Sequence, residues 1–204
     1  MKFLIFADLH TFNKDNLNKI KEEFDLIITL GDIHANTLRE IIMNFPEKQI
    51  FGVLGNHDGI DMFTSVNKRL ETEKHYNLYN GDGIININLK EFKINNICFT
   101  GIEGCNKYKT FIPRYTQKES LNLDIPFSNI LFAHDTGYKY MKQDDQAHKG
   151  LKGISRYIKR KKPKYHIFGH YHKNTAFTIK KTKCFCVYGC SIFDYETGVM
   201  KNIF

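Results

Sequence analysis

Five apolar runs, each closed by a short polar cluster, constrain this chain more than any other feature. Phe3 to Ala7 leads into Asp8-Leu9-His10, Leu26 to Leu30 into Gly31-Asp32, and Ile50 to Leu54 into Gly55-Asn56-His57-Asp58. Ile130 to Ala133 leads into His134, and Tyr165 to Phe168 into Gly169-His170-Tyr171-His172. Short apolar runs of this kind predict buried strands. A polar cluster at the end of each predicts a site along one edge, because ligands of open α/β sheets bind beyond the carboxyl ends of the strands.

The residue types in those clusters point to metal. Asp8 and His10 are two apart, so a continuing strand pleat would send both side chains to one side, and His170 and His172 repeat the spacing. Carboxylate oxygen with neutral imidazole nitrogen suits borderline divalent metals; an all-oxygen set would indicate magnesium or calcium, and a thiolate set structural zinc. Asp8, four histidines and Asn56 outnumber the ligands of one tetrahedral ion, and Asp32 has two oxygens with which to bridge a pair. The list fits two ions better than one.

With its clusters in this order, the chain resembles the calcineurin-like metallophosphoesterase superfamily. That family's blocks appear as Asp-x-His, Gly-Asp, Gly-Asn-His-Asp, His and Gly-His-x-His, from Met1 to about Ser191. The resemblance implies an α/β fold, a two-sheet β-sandwich flanked by helices in four layers, α/β/β/α. It implies that Asp8, His10 and His172 hold one metal, that Asn56, His134 and His170 hold the other, and that Asp32 bridges them. His57 would face the scissile phosphate as general acid or charge stabiliser, and Asp58 would orient it. The implied reaction is hydrolysis of a phosphodiester or phosphomonoester. Two ions lower the pKa of a shared water and polarise the phosphoryl oxygens for in-line attack, while His57 protonates the leaving oxygen. Manganese is the first expectation for the ions, with iron, zinc, nickel or cobalt as alternatives.

Some positions carry a second reading. His134 has no ligand beside it in sequence, and a histidine capping the strand after Phe132-Ala133 is its alternative. His34, two past Asp32, reads as a loop residue. Many relatives carry an acidic residue three after the bridging aspartate, where this chain has Ala35. That departure bears on substrate subtype rather than on the metals.

Length and composition bound the rest. A chain of 204 residues with 42% hydrophobic residues can bury a sizeable core, and residues 1–204 read as one domain. No apolar run approaches the ~18 residues of a membrane span, and the first strand starts at once, so neither a membrane nor a signal peptide is expected. The 5 cysteines are Cys98, Cys105, Cys184, Cys186 and Cys190. An odd count without an export signal points to a cytoplasmic location with reduced thiols. Cys184, Cys186 and Cys190 could form a zinc cluster, but strand alternation accounts for the first two as buried residues.

Periodicity predicts strands at 2–7, 25–30 and 49–54, with helices at about 13–23, 36–45 and 61–73. Strands follow at Ile84 to Leu89, Glu91 to Ile94 and Ile97 to Gly101, with Asn95-Asn96 as a two-residue hairpin turn. A helix over about 149–161 precedes the strand at Tyr165, and Thr175 to Ile179 with Lys183 to Tyr188 form a second hairpin.

A net charge of +8 raises the question of a polyanionic partner. Lys152, Arg156, Lys159 and Arg160 fall opposite Leu151, Ile154 and Ile158 on one helix, and the basic run continues to Lys164. A solvated helix face explains them, with phosphate-backbone contact as the sharper alternative. Lys107, Tyr108, Lys109, Arg114 and Tyr115 mix cations with aromatic rings in a loop after Gly101-Ile102-Glu103, as nucleotide and nucleic-acid sites do. The expected partner is therefore a phosphate ester, with nucleotides and nucleic acid within range. A nuclease of the same chemistry and a catalytically weak binding scaffold are the competing functions. Oligomeric state is not legible.

Overall fold

A computed structural model describes residues 1–72, 83–110, 114–143 and 145–204. Strand β1 (Lys2–Ala7) explains the layering by its alternation. Phe3, Ile5 and Ala7 point into one hydrophobic cluster, and Leu4 and Phe6 into another. A strand with two apolar faces must be covered on both, so its sheet lies between layers.

Among the described residues, the first six-stranded sheet runs β12-β11-β1-β2-β3-β4. Its members are β1, β2 (Leu26–Thr29), β3 (Ile50–Gly52), β4 (Ile84–Asn86), β11 (Gly189–Asp194) and β12 (Val199–Asn202). β1 to β4 are parallel, and β11 joins β1 antiparallel. The second sheet runs β5-β6-β7-β8-β10-β9. It is built from β5 (Phe92–Ile94), β6 (Ile97–Ile102), β7 (Ile130–Ala133), β8 (Tyr165–Phe168), β9 (Thr175–Ile179) and β10 (Thr182–Cys186). Here β6, β7, β8 and β10 are parallel. Helices α1 (Ala35–Asn44) and α2 (Met62–Thr72) cover the outer face of the first sheet, and α4 (Lys152–Lys161) that of the second, with α3 (Gln117–Leu121) packed against α4. The result is the four-layered α/β/β/α sandwich, and no helix among the described residues is long and apolar enough to cross a membrane.

The centre of the sandwich is aromatic. The fully buried Phe3 ring meets Phe99, Phe132 and Phe193 at centroid separations of 6.4, 5.7 and 6.3 Å. Truncating it leaves a void that three rings cannot collapse into. Phe3→Ala is expected to cost about 3–5 kcal/mol of unfolding free energy, read from urea denaturation, and a cost under about 1 kcal/mol would contradict this packing.

Several sequence expectations are revised. The helix expected over 13–23 is a 3₁₀ segment, Lys14–Lys19, capped by the Asn13 side chain and ended at Ile20 in extended backbone. Asn13, Asp15 and Asn16 compete for backbone hydrogen bonds, and only Leu17 of the segment is buried, so nothing pulls the helix onward. The strand expected over 84–89 stops at Asn86, where its pairing with β3 ends opposite Gly52, and Leu89 adopts φ 54°. The helix expected from 149 starts at Lys152, after Gly150 at φ 69°. The helix expected over 61–73 spans Met62–Thr72, and Glu73 lies outside the described residues. Helix α3 and strands β11 and β12 have no counterpart among the sequence expectations. By contrast, Asn95 and Asn96 at φ 47° and 63° form the expected β5–β6 hairpin turn.

The cysteines divide between layers. Cys184 and Cys186 face the α4 side, and Cys190 faces the α1 and α2 side. Two sheets therefore separate Cys190 from the other two, which removes the zinc-cluster alternative.

Candidate metal centre

All five polar clusters stand at one edge of the sandwich, where β1, β2, β3, β7 and β8 end. The pleat does not continue into them. Asp8, Asp32, His170 and His172 have φ of 54°, 54°, 70° and 48°, left-handed values that non-glycine residues adopt at a cost of roughly 1–3 kcal/mol each. The convergence of Asp8 with His10 and of His170 with His172 thus comes from sharp turns at the strand ends, not from alternation. Backbone contacts hold these turns: Asp8 N–H donates to the Gly31 carbonyl at 3.1 Å, and His170 N–H to Asp8 Oδ2 at 2.7 Å.

The glycines of the motifs serve close approach. A Cβ on Gly31, itself at φ 90°, would lie 2.3 Å from Gly55 N, and one on Gly55 would lie 2.0 Å from Asp32 Oδ1. The Gly31-Asp32 and Gly55-Asn56-His57-Asp58 loops therefore pass each other backbone to backbone. Asp58 ties them together, since its Oδ2 accepts from Asp32 N–H at 2.8 Å and from Gly55 N–H at 2.7 Å. Among the described residues, the Asp58 carboxylate is thus engaged with backbone rather than with the His57 ring that the resemblance has it orient.

Two ligand groups result. Asp8, His10 and His172 offer donor atoms that all lie within 4.8 Å of one another, as do Asp32, His134 and His170. Asn56 joins the second group, its Oδ1 2.8 Å from His134 Nε2. Asp32 stands between His134 and His57, with Oδ2 3.5 Å from His134 Nε2 and 4.0 Å from His57 Nε2, while its Oδ1 accepts from His57 N–H at 2.8 Å. His57 is open to solvent, with 63% of its side chain exposed. His34 occupies the position before α1 without a side-chain capping bond and, with Ala35, His10 and His57, lines a cavity of about 250 Å³ beside the centre.

Ligand-type atoms crowd together at the site, and a cation, whether a proton or a metal ion, satisfies them. His134 Nδ1 lies 2.8 Å from the Leu30 carbonyl and must donate to it, so the neutral ring presents a lone pair at Nε2. That lone pair meets Asn56 Oδ1 at 2.8 Å and the Asp32 carboxylate, acceptors all. His10 Nε2 and His172 Nε2 face each other at 3.1 Å, a separation that nitrogens sharing one ion at about 2.0–2.1 Å can adopt. Among the described residues, buried Asp8 Oδ1 has no hydrogen-bond partner. The donor set, mixed oxygen and imidazole nitrogen, fits two borderline divalent ions.

Electrostatics agree. Burial pushes the Asp8 carboxyl up to about 7, partly opposed by His134 and reinforced by Asp32. Burial alone would lower His134, but the Asp32 and Asp8 carboxylates and the Leu30 carbonyl raise it. Burial and the neighbouring His134 and His148 rings hold His170 well below the ordinary histidine range. Asp8 and His134 are thus disposed to hold protons, whereas His170 is disposed to stay neutral, the form that binds a metal. Asp8 is protonated more readily in the folded chain than in the unfolded one, so its contribution to metal-free stability is present at low pH and fades as pH rises through about 7. A metal must displace that proton. Its apparent dissociation constant is expected to rise at least about tenfold from pH 8 to pH 6, measured by calorimetry, and pH-independent binding would exclude Asp8 as a ligand.

Two neighbours escape a reading of the sequence. His148 stacks on His170 at 4.2 Å and 22°, donates from Nε2 to the His170 carbonyl at 3.1 Å and meets Asp145 through Nδ1 at 2.7 Å. Nothing in its local sequence marks it, because the link is made across the fold. Asp135, fully buried directly after His134, has its carboxyl pushed up to about 7 by burial.

The class that fold and site define is a four-layer α/β sandwich with two Asp/His groups at its strand ends that could hold metal ions. The chain belongs to the calcineurin-like phosphoesterase superfamily, whose domain model matches residues 1–193. Among curated proteins it is similar to the UPF0046 protein K07C11.7 of Caenorhabditis elegans, 27% identical over 192 residues. That match covers 85% of this chain, and the chain spans 64% of the relative's length. Among solved structures it is similar to TT1561 of Thermus thermophilus, with a TM-score of 0.69, 13% identity, and 98% and 96% of the two chains covered. A novel archaeal phosphodiesterase aligns with a TM-score of 0.55, 15% identity and 98% of both chains covered. At these identities the structural likeness speaks to the fold.

Proposed function

We propose that this chain hydrolyses phosphate esters, with Asp8, His10 and His172 holding one divalent ion, Asn56, His134 and His170 the other, and Asp32 bridging them. The observation that carries the reading is the convergence of two donor groups at the strand ends, Asp8, His10 and His172 in one and Asp32, His134 and His170 with Asn56 in the other. When bound, the two ions supply Lewis-acid polarisation of phosphoryl oxygens and a water of lowered pKa. Manganese is our first choice, with iron, zinc, nickel or cobalt as alternatives.

The chain's residues do the rest. His57 stands at the open rim with its backbone N–H anchored to Asp32 Oδ1, so its exposed ring is free to meet a substrate and protonate the leaving oxygen. Asp58 acts on His57 indirectly, by holding the loop that carries it against Asp32. Leu30, through its carbonyl, fixes the His134 tautomer.

The basic helix has no direct part in this. α4 returns the chain from the site end of β7 to the start of β8, so Lys159, Arg160 and Lys161 lie at the opposite end of the sheet from His170. β8 alone, Tyr165–Phe168, spans about 13 Å. In the last turn of α4 these cations complement the helix dipole, and Arg156 is spent on the Leu121 carbonyl. A small phosphodiester or phosphomonoester therefore suits the site better than a nucleic acid tracked by that helix.

The test is hydrolysis of bis-nitrophenyl phosphate and nitrophenyl phosphate by metal-stripped protein resupplied separately with manganese, nickel, zinc and magnesium. Metal-dependent cleavage supports the proposal, and the ratio of the two rates assigns diester or monoester preference. Binding of two ions without cleavage of either ester would favour the scaffold alternative.

A further inference from the structure

We infer that the Tyr108 hydroxyl is a substrate-contacting group, donating a hydrogen bond to a non-bridging phosphoryl oxygen at the metal centre. This rests on the phosphoesterase reading above and names a further residue of that site. Three observations carry it. First, the loop after β6 crosses from the second sheet to the first. Gly104 N–H donates to the Leu54 carbonyl at 2.7 Å, which brings the loop over the end of β3, just before Gly55-Asn56-His57-Asp58.

Second, Asn56 Nδ2 donates to the Tyr108 hydroxyl oxygen at 3.3 Å. The amide then turns its Oδ1 toward His134, the direction a ligand oxygen needs. Because the phenol oxygen accepts in this contact, its own proton is left to donate, and among the described residues no acceptor takes it. An O–H donor one amide away from the second ligand group is where a phosphoryl oxygen would be stabilised.

Third, the side chain is only partly buried, and Lys109 holds its ammonium 5.3 Å from the centre of the Tyr108 ring. The donor therefore keeps access to solvent, with a cation over the face of its ring. The sequence mixture of cations and aromatics in Lys107, Tyr108 and Lys109 thus has a specific outcome: one of its rings reaches the candidate metal centre.

The experiment compares wild type with Tyr108→Phe, both saturated with manganese, by calorimetric titration with inorganic phosphate, with metal content and thermal unfolding measured alongside. The expected result is an unchanged metal content and unfolding temperature, with phosphate bound about 10- to 100-fold more weakly by the variant, the scale of a hydrogen bond to a charged group. Equal phosphate affinity in the two proteins would overturn the inference. A fall in metal affinity with unchanged phosphate affinity after re-saturation would also overturn it, leaving Tyr108 only to orient Asn56. A tyrosine-dependent phosphate affinity in a protein that cleaves no ester would keep the contact and remove the phosphoesterase reading.

Discussion

Asp32→Ala is expected to lose bound metal and activity together, with turnover falling at least about 10³-fold, the scale of several kcal/mol of lost charge stabilisation. Asp32 is the residue on which both halves of the site depend. Its Oδ2 faces His134 Nε2 at 3.5 Å, and its Oδ1 anchors the His57 backbone at 2.8 Å. Removing the carboxylate takes away the charge that attracts cations and frees the loop carrying the proposed acid. Asp32→Asn separates the two effects, because the amide oxygen can still accept from His57 N–H while the charge is gone. Elemental analysis should find less than two ions per chain in both variants, with unfolding temperature closer to wild type in Asp32→Asn. A variant that retained two ions and full hydrolysis would exclude Asp32 as the bridge.

How far such a site is legible in the sequence depends on what kind of interaction builds each part. The strand cores are readable because each is a run of apolar residues with a period the chain itself displays, as in Phe3 to Ala7. The ligand clusters are readable because polar residues at the end of a buried strand have no packing reason to be there. The way they converge is not. Asp8, Asp32, His170 and His172 meet through left-handed turns, and although Asp and His visit that region more than most residues, their type alone does not mark which of them do. The same holds for Asp58, whose sequence position beside His57 suggests a side-chain pair, whereas its hydrogen bonds go to the backbones of Asp32 and Gly55.

Contacts across the fold are illegible for a simpler reason. His148 reaches His170 from a loop 22 residues away, and β11 sits beside β1 although the rest of the chain lies between them. Helix α3 is a different case. Its Thr116–Glu119 capping box is visible in the residues, but a five-residue helix has too little apolar periodicity to announce itself. The helix expected over 13–23 fails in the opposite sense, because a length without Gly or Pro is no substitute for a buried face.

His57→Ala is expected to lower turnover by roughly 10²- to 10⁴-fold while leaving both ions bound, the loss ordinarily attached to a general acid. The separation follows from geometry. His57 Nε2 stays 4.0 Å from Asp32 Oδ2, and the ring stands 5.7 Å, edge to face, from His10. With 63% of its side chain exposed, it contributes little packing, so stability should change by no more than about 0.5 kcal/mol. A proton donor matters most when the leaving oxygen is basic. The loss should therefore be greater for an alkyl phosphate ester than for a nitrophenyl ester, whose phenolate departs without assistance. Equal losses on both esters would mean that His57 stabilises charge without transferring a proton. Loss of metal in this variant would place His57 among the ligands and undo the division between residues that hold the ions and the residue that serves the leaving group.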